Sequence, residues 1–304
     1  VCEERNILHM PKGISKVLAR FSGTTLVLLA SLSWSATAYF IKTVSISSPL
    51  LPMLRAFLAG LILLPHFHPR KLVKAPELAI MAVTFPTLQL ITAFSYRLTT
   101  AANAAALFFS APLWVFLYQA VRNRKLDRKS LSSVLLIIFG IVVILVEPNT
   151  GSNQFGNFIA AISGILNAVF CICLGTTDMS QRFNYVAFSA WSTVVLTGLF
   201  NAAVQPKIFL EILDYSAATW LTLLVMALTQ LVLPYFFFCA ALEKISIQRV
   251  TILNETEFVL SPIWTFVFLR EIPTAYGIIG WFLILAGLLV GELTAARAMR
   301  CTKL

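Results

Sequence analysis

Long apolar runs separated by short polar breaks fill this chain and decide what it can fold into. An α-helix needs roughly 17–25 residues to cross a bilayer, at about 1.5 Å per residue. Ten runs meet that length: residues 24–44, 49–66, 77–96, 100–120, 131–147, 155–177, 185–205, 217–241, 247–269 and 275–294. The sequence therefore predicts an all-α integral membrane protein of ten transmembrane helices.

Composition supports a lipid environment. Of the 304 residues, 59% are hydrophobic and 12% are charged, whereas a soluble domain has about 25% charged residues. The first run follows Lys12, Lys16 and Arg20, as in a signal peptide. It is too long for a signal-peptide core and has no clear cleavage site, so we interpret it as an uncleaved first span.

The distribution of positive charge predicts the orientation. The net charge is +10, but Lys and Arg form short groups between apolar runs rather than one basic face, so no nucleic-acid partner is expected. With a cytoplasmic N-terminus, 18 of the 23 Lys and Arg residues fall on the cytoplasmic side and four on the outer side. The positive-inside rule then places both termini in the cytoplasm. Short tails and loops favour the inner (plasma) membrane of a bacterium.

Two proline landmarks indicate an internal duplication. Pro86 and Pro112 recur as Pro234 and Pro262, at offsets of 148 and 150 residues, each within similar apolar text. Five spans per copy is an odd number, so the second copy would cross the membrane in the opposite sense. This predicts two inverted five-helix repeats, an architecture that many secondary transporters use for alternating access. The predicted division is a tail (1–23), a first repeat (24–147), an outer linker (148–154), a second repeat (155–294) and a tail (295–304).

The same stretches resemble a known family. The ninth run reads Leu253-Asn-Glu-Thr-Glu257-Phe-Val-Leu-Ser-Pro262-Ile-Trp264 and is followed by Phe268-Leu-Arg-Glu271. It resembles the ninth-span pattern of the EamA family of the drug/metabolite transporter superfamily. The text from Thr99, from Gly280 and around Arg55 is similar to the family's fourth, tenth and second spans. The resemblance implies a ten-span transporter of small metabolites.

The chain departs from the family pattern at three places. Glu257-Phe258 stands where the family often has Glu-Pro, and Leu-Arg-Glu271 stands where it has Leu-Gly-Glu. The first half has Ala120-Val-Arg-Asn-Arg in place of Leu-Gly-Glu. Because of these departures, the resemblance does not identify the substrate.

Acidic side chains in the ninth run are functional candidates, because a charge at a span centre costs about 2.5–3.5 kcal/mol on insertion scales. Glu257 lies near the middle of the run, and Asn254 and Ser261 share its helical face. We expect Glu257 to contact substrate or to carry a coupling proton; the alternative is a hydrogen bond to a neighbouring helix. Glu255 lies about 200° around the helix and would pair with a basic group such as Arg249.

Arg55 is the charged residue of the second run, about 9 Å from its outer end. It could snorkel, pair with an acid or bind an anionic substrate group. Weaker candidates for substrate binding are Trp34, Gln89, Asn167 and Gln230. Trp34 could stack on a substrate or simply pack, and the two glutamines lie within one turn of Pro86 and Pro234, where each amide could satisfy a carbonyl freed by proline.

No motif for catalysis, a metal or a cofactor is present. The sequence contains neither GxxxxGK[ST] nor HExxH, so ATP hydrolysis and zinc chemistry are not expected. His66 and His68 lack a third ligand, and the five cysteines include no CxxC pair. Gly287 and Gly291 form a GxxxG that could support a homodimer or packing within one chain.

The function predicted is secondary transport of a small metabolite, an amino acid or a related and possibly cationic compound, by alternating access. Export and import remain alternatives, as does uptake of an S-adenosylmethionine-type metabolite. Other classes are a passive channel or scramblase, which would not saturate, and a membrane-embedded enzyme, for which no catalytic residues are found. The expected partners are a small-molecule substrate and membrane lipid.

Orientation is testable by fusing a reporter of cytoplasmic location to each terminus. Because the charge asymmetry places both ends in the cytoplasm, both fusions should be active, and a fusion in the 148–154 linker should be silent. Ends on opposite sides of the membrane would contradict the duplicated five-span organisation.

Overall fold

The computed structural model describes residues 20–72, 76–123, 131–148, 154–177, 181–245 and 247–301. Within these ranges the chain is helical and contains no β-strand. The first 19 residues, residues 124–130 and 149–153 and the side chain of Glu255 lie outside what is described. The helices are α1 (Gly23–Ser35), α2 (Thr37–Thr43), α3 (Leu50–Leu63), α4 (Pro76–Leu98), α5 (Ala101–Phe108), α6 (Ala111–Asn123), α7 (Leu131–Leu145), α8 (Gln154–Thr176), α9 (Arg182–Val204), α10 (Ala217–Ala227), α11 (Leu233–Leu242), α12 (Ile247–Leu269) and α13 (Ala275–Cys301).

The helices coincide with the predicted apolar runs to within a few residues, except that α13 continues to Cys301. Five helical stretches are long and apolar enough to cross a membrane: Gly23–Thr43, Pro76–Leu98, Gln154–Leu174, Arg182–Val204 and Ala217–Leu242. Shorter apolar helices are Leu50–His66, Ala101–Val115, Leu131–Leu145, Thr256–Leu269 and Ala275–Gly291. The all-helical, multi-pass membrane fold is confirmed, and the count of ten spans stays a prediction.

Three runs that the sequence presents as continuous are interrupted. A break at Phe109 separates α5 from α6, and a π-helical segment, Leu228–Val232, separates α10 from α11. Pro112 and Pro234 explain these two, because proline lacks an N–H and its ring clashes with the carbonyl four residues earlier. At Ala36, between α1 and α2, the neighbouring hydroxyls of Ser35 and Thr37 donate to helix carbonyls and so compete with the backbone.

The end of α12 explains one departure from the family pattern. Arg270 follows the last helical residue and has φ of 56°, the left-handed conformation that glycine adopts at least cost. The arginine therefore occupies the same kind of turn that the family's glycine would. In this turn the N–H of Glu271 donates to the carbonyl of Thr265 at 3.3 Å.

The most extensive helix pairs join early and late parts of the chain. They are α7 with α13, α4 with α8, α3 with α9, and α1 with both α11 and α12. The α7–α13 pair is close because both helices carry glycine at the crossing: a Cβ added at Gly140 would lie 2.8 Å from the carbonyl oxygen of Gly280. Further along, Ser133 donates to the carbonyl of Gly287 at 2.6 Å.

The GxxxG stripe packs within the chain. A Cβ on Gly287 would lie 2.6 Å from Ile137 Cγ1, and one on Gly291 would lie 2.7 Å from Ser133 Oγ. Both glycines therefore face α7 of the same molecule. Small residues serve here to let two helices of one bundle approach.

Gly280→Ala is expected to destabilise the protein by about 1–3 kcal/mol, the usual effect of overpacking a tight contact. The new Cβ would lie 2.4 Å from Ile144 Cγ1 and 2.9 Å from the carbonyl oxygen of Gly140, so the α7 backbone must move. Gly198→Ala is the matched control, since its Cβ would meet only Met53 Sδ, at 3.5 Å. Thermal unfolding in detergent should show a lower Tm for the first variant alone. Equal Tm values would contradict the packing.

Candidate functional site

A buried arginine organises the polar centre of the bundle. Arg55 is the sixth residue of α3 and is 3% exposed. Its Nη1 donates to Gln230 Oε1 at 2.7 Å and its Nη2 donates to Gln89 Oε1. Among the described residues no carboxylate lies within ion-pair distance of it. The guanidinium is thus held inside the bundle by two neutral amide oxygens on other helical segments, an arrangement different from snorkelling.

The π-helical segment positions Gln230. Residue 230 lies four positions before Pro234, so a regular helix would leave its carbonyl without a donor. That carbonyl accepts a hydrogen bond from the indole Nε1 of Trp34 at 3.0 Å. The side-chain amide of Gln230 is thereby left to face Arg55. A π-helical turn of this kind is frequent at functional sites.

Aromatic rings border the same region. The ring of Trp34 meets Tyr235 edge-on with centroids 5.3 Å apart, and meets Phe238 at 5.7 Å. The hydroxyl of Tyr235 lies within electrostatic range of both Arg55 and Glu257. Tyr235 is therefore close enough to interact electrostatically with both the buried cation of α3 and the acid of α12.

Glu257 lies near polar side chains of three other helices. It is close enough to interact electrostatically with Tyr96 on α4, Cys171 on α8 and Tyr235 on α11. Glu257 nevertheless keeps accessible surface, and the side chain of Cys171 is exposed. Accessible side chains surrounded by several helices border space within the bundle.

The other predicted residues lie around this space with different partners. Asn254 Oδ1 accepts from the hydroxyl of Ser31 at 3.2 Å, and so ties α12 to α1. Asn167 Oδ1 accepts from the thiol of Cys171, with the two heavy atoms 3.7 Å apart. Ser261, on the predicted polar face, is buried close to Tyr96.

The structure thus brings Arg55, Gln89, Gln230 and Trp34 into one connected network. Glu257 interacts electrostatically with Tyr235, whose ring contacts Trp34, whereas Asn254 and Asn167 are hydrogen-bonded to residues outside the network. Sequence reasoning missed Tyr235, Tyr96 and Cys171. A signal was available for Tyr235 alone, which directly follows the landmark Pro234.

Two buried donors in this network have no acceptor. They are Arg55 Nε and Gln230 Nε2, neither of which has a hydrogen-bond partner within the described part of the chain. A buried donor without a partner costs about 1–3 kcal/mol, more when it is charged. Two such donors on neighbouring side chains favour binding of a group that carries acceptor oxygens.

At one end of the bundle, an ion pair and two hydrogen bonds join several helices. We call this end the Lys42 end. Lys42 Nζ lies 2.8 Å from Glu271 Oε2 and donates to the carbonyl of Thr99 at 3.1 Å. Glu271 Oε1 accepts from the N–H of Ala101 at 2.7 Å, at the start of α5. Helices α2, α4, α5 and α12 are therefore joined where they begin or end.

A metal centre is not evident in the described ranges. No group of three or more His, Cys, Asp or Glu side chains there is arranged to hold a metal ion. His68 Nδ1 lies 3.1 Å from the carbonyl of His66, and the backbone N–H of His68 donates to Asn184.

A multi-helix bundle with a polar, partly accessible centre is the arrangement of a membrane carrier. The model of the EamA-like transporter family matches this chain twice, over residues 21–146 and 154–291. The chain therefore belongs to the EamA-like transporter family and is a membrane transporter.

Two relatives illustrate the relationship. An uncharacterized transporter of Archaeoglobus fulgidus is 23% identical over 273 residues, which cover 88% of this chain and 95% of that protein. A protein of known crystal structure superposes with a TM-score of 0.64 at 17% identity, over 90% of this chain and 98% of that one. At such identity the second likeness concerns the fold alone.

Trp34→Phe tests the hydrogen bond that positions Gln230. Loss of the indole N–H leaves a buried carbonyl unsatisfied, so we expect a destabilisation of about 1–3 kcal/mol. Trp191→Phe is the matched control, because Nε1 of that indole is buried and has no hydrogen-bond partner among the described residues. Both variants lose the same ring volume. The Tm of Trp34→Phe should therefore fall further than that of Trp191→Phe. Equal falls in Tm would show that the hydrogen bond from Trp34 to the carbonyl of Gln230 does not stabilise the protein.

Proposed function

We propose that this protein is a secondary transporter of a small zwitterionic metabolite of the amino-acid type, moved by alternating access. The observation that carries the proposal is the pair of buried, unpartnered donors, Arg55 Nε and Gln230 Nε2. A guanidinium with free N–H groups binds a carboxylate strongly, because both partners are charged and planar. Import and export are both compatible with these contacts.

A zwitterion also suits the opposite side of the site. Glu257, like Arg55, is close enough to Tyr235 to interact with it electrostatically. In our proposal the substrate carboxylate contacts Arg55 and Gln230, and its ammonium group contacts Glu257. The aromatic faces of Trp34, Tyr235 and Phe238 would then accept an apolar or cationic side chain. For this reason the substrate candidates include S-adenosylmethionine, which carries an amino-acid group and a cationic sulfonium.

The pattern of helix packing supports two inverted repeats, 24–147 and 155–294. Numbering the predicted spans in order, α4 with α8 is the pair 3–6, and α11 with α1 is the pair 8–1. Adding five to, or subtracting five from, each span number of one pair gives the other pair. The same operation converts α12 with α1 (9–1) into the contact of α5 and α6 with α8 (4–6), and leaves 2–7 and 5–10 unchanged. A twofold relation between halves would produce this pattern.

Alternating access then has a physical basis. Arg55, Gln89 and Trp34 belong to the first matched segment, and Gln230, Tyr235 and Glu257 belong to the second. Rocking of one segment against the other would change access to a site built from both. The charge asymmetry supports cytoplasmic termini in the inner membrane, so the Lys42 end would face outward. Its ion pair also bridges the two segments and would hold that end closed.

Counterflow in proteoliposomes tests the proposal. A panel of labelled amino acids and S-adenosylmethionine should reveal at least one saturable substrate that exchanges across the membrane. Arg55→Lys and Glu257→Gln should each reduce its exchange roughly 10- to 100-fold, since the first removes the planar guanidinium contact to the carboxylate and the second removes a charge-assisted hydrogen bond. Glu211→Gln is the control, because Glu211 lies in the 3₁₀-helical segment Pro206–Asp214, outside the predicted spans, and accepts from Tyr215. Normal exchange by both site variants would refute the assignment, and non-saturating flux would favour a channel.

Cys171 supplies a readout that does not depend on transport. Its side chain is exposed, whereas Cys173 and Cys239 are buried. After replacement of Cys2 and Cys301 by serine, a membrane-impermeant thiol reagent applied to permeabilised vesicles should modify Cys171. Saturating substrate should slow that reaction. The same rate with and without substrate would place the binding site elsewhere.

A further inference from the structure

A second pair of buried polar groups lies away from Arg55, near the Lys42 end. Glu147 follows α7 by two residues, Asn103 lies on α5, and both side chains are 0% exposed. Asn103 Nδ2 donates to Glu147 Oε2 at 2.8 Å. The other two oxygens of the pair, Glu147 Oε1 and Asn103 Oδ1, are buried without a hydrogen-bond partner in the described ranges. The pair therefore contains two unmatched acceptors and no hydrogen to share between them.

One proton supplies what is missing. Were Glu147 Oε1 protonated, it would donate to Asn103 Oδ1, and the carboxylic acid and the amide would form a closed pair of two hydrogen bonds. The terminal torsions of Glu and Asn are broad, so a small rotation can align the two groups. Protonation also removes a charge that burial strongly disfavours. We propose that Glu147, paired with Asn103, is a proton-binding site of this transporter, occupied in the conformation described here.

The surroundings favour a proton over a metal cation. A Cβ added at Gly277 would lie 2.5 Å from Asn103 Oδ1, so the backbone of α13 closes that side of the pair. Hard metal cations take about six or more oxygen ligands, and the pair offers two unmatched oxygens. A proton needs only those two.

Among the described residues, no cation lies within ion-pair distance of Glu147. The helices packed around Glu147 are α5, α8 and α13, and their facing turns, with α7 itself, carry one titratable side chain, the exposed Tyr276. Lys42 is paired with Glu271, which binds the start of α5 two residues before Asn103. Arg97 donates to backbone carbonyls of the α2 region. A negative charge on Glu147 would thus be both buried and unpaired.

The site links protonation to the Lys42 end, an inference that rests on the proposed function. The acid–amide pair joins the end of α7 to α5, the helix whose first N–H binds Glu271. Loss of the proton would leave a buried carboxylate facing an amide oxygen, and α7 and α5 would separate to admit water. Protonation therefore favours the closed Lys42 end, and deprotonation favours its opening.

Infrared spectroscopy of the purified protein is the decisive experiment. At pH 6 the spectrum of the wild type minus that of Glu147→Gln should contain a carboxylic-acid C=O stretch, which an ionised carboxylate lacks. Glutamine can accept from Asn103 Nδ2 and donate to Asn103 Oδ1, so this variant should fold. Glu77→Gln is the control and should leave that acid band in place. Absence of the band from the wild-type difference spectrum would overturn the proposal.

Thermal unfolding separates a proton from a metal ion. The Tm of the wild type should fall by roughly 5 °C or more once the acid band is lost at higher pH, because the buried charge is then unpaired. Glu147→Gln should not show that fall. A saturable rise in Tm with Na⁺ or K⁺ at high pH, absent from Glu147→Gln, would make the pair a metal-cation site and overturn the proposal.

Transport distinguishes this inference from the function on which it rests. Glu147→Gln should retain counterflow but lose stimulation by a pH gradient. Full stimulation in that variant would reject the link between the site and transport. If no compound in the panel exchanges while the acid band is intact, the proposed substrate class fails and the proton site stands.

Discussion

The positive charge of Arg55, placed among apolar helices, is the constraint on which the centre of this bundle depends. A guanidinium removed from water needs acceptors in the protein, because a buried ion without them costs several kcal/mol. Gln89 and Gln230 provide amide oxygens from two other helical segments. Satisfying one side chain therefore fixes α3, α4 and the π-helical segment relative to one another, and ties the two matched segments together.

The positions of the helices could be predicted from the sequence, since bilayer thickness sets the length of an apolar run independently of its neighbours. The high cost of polar groups in such runs also identified Arg55, Gln89, Gln230 and Glu257. Their partners could not be predicted in the same way. Arg55 and Gln230 are separated by 175 residues, and the bond between them depends on a break in the helix whose form no local pattern specifies.

Residues at the ends of runs were harder to find for a different reason. Glu147 is the last residue of the run 131–147, where a polar side chain ordinarily meets water, but it is buried and hydrogen-bonded to Asn103, which α13 approaches at Gly277. Arg270 departs from the family pattern in residue type while keeping the backbone turn that a glycine would form. Both cases depend on tertiary packing or backbone geometry, which composition and periodicity do not contain.

The unmatched groups of the two sites are opposite in kind. At the centre they are donors next to a cation, so an anionic ligand completes them; at the Lys42 end they are acceptors, so a proton completes them. In each case binding satisfies a hydrogen-bonding group and reduces an unpaired buried charge. The interior of a helix bundle in lipid contains little water that could satisfy the hydrogen-bonding group or solvate the charge instead. On the two proposals made above, the conformation that buries these groups would be most stable when substrate and proton are both bound, and by linkage each ligand would then raise the affinity for the other.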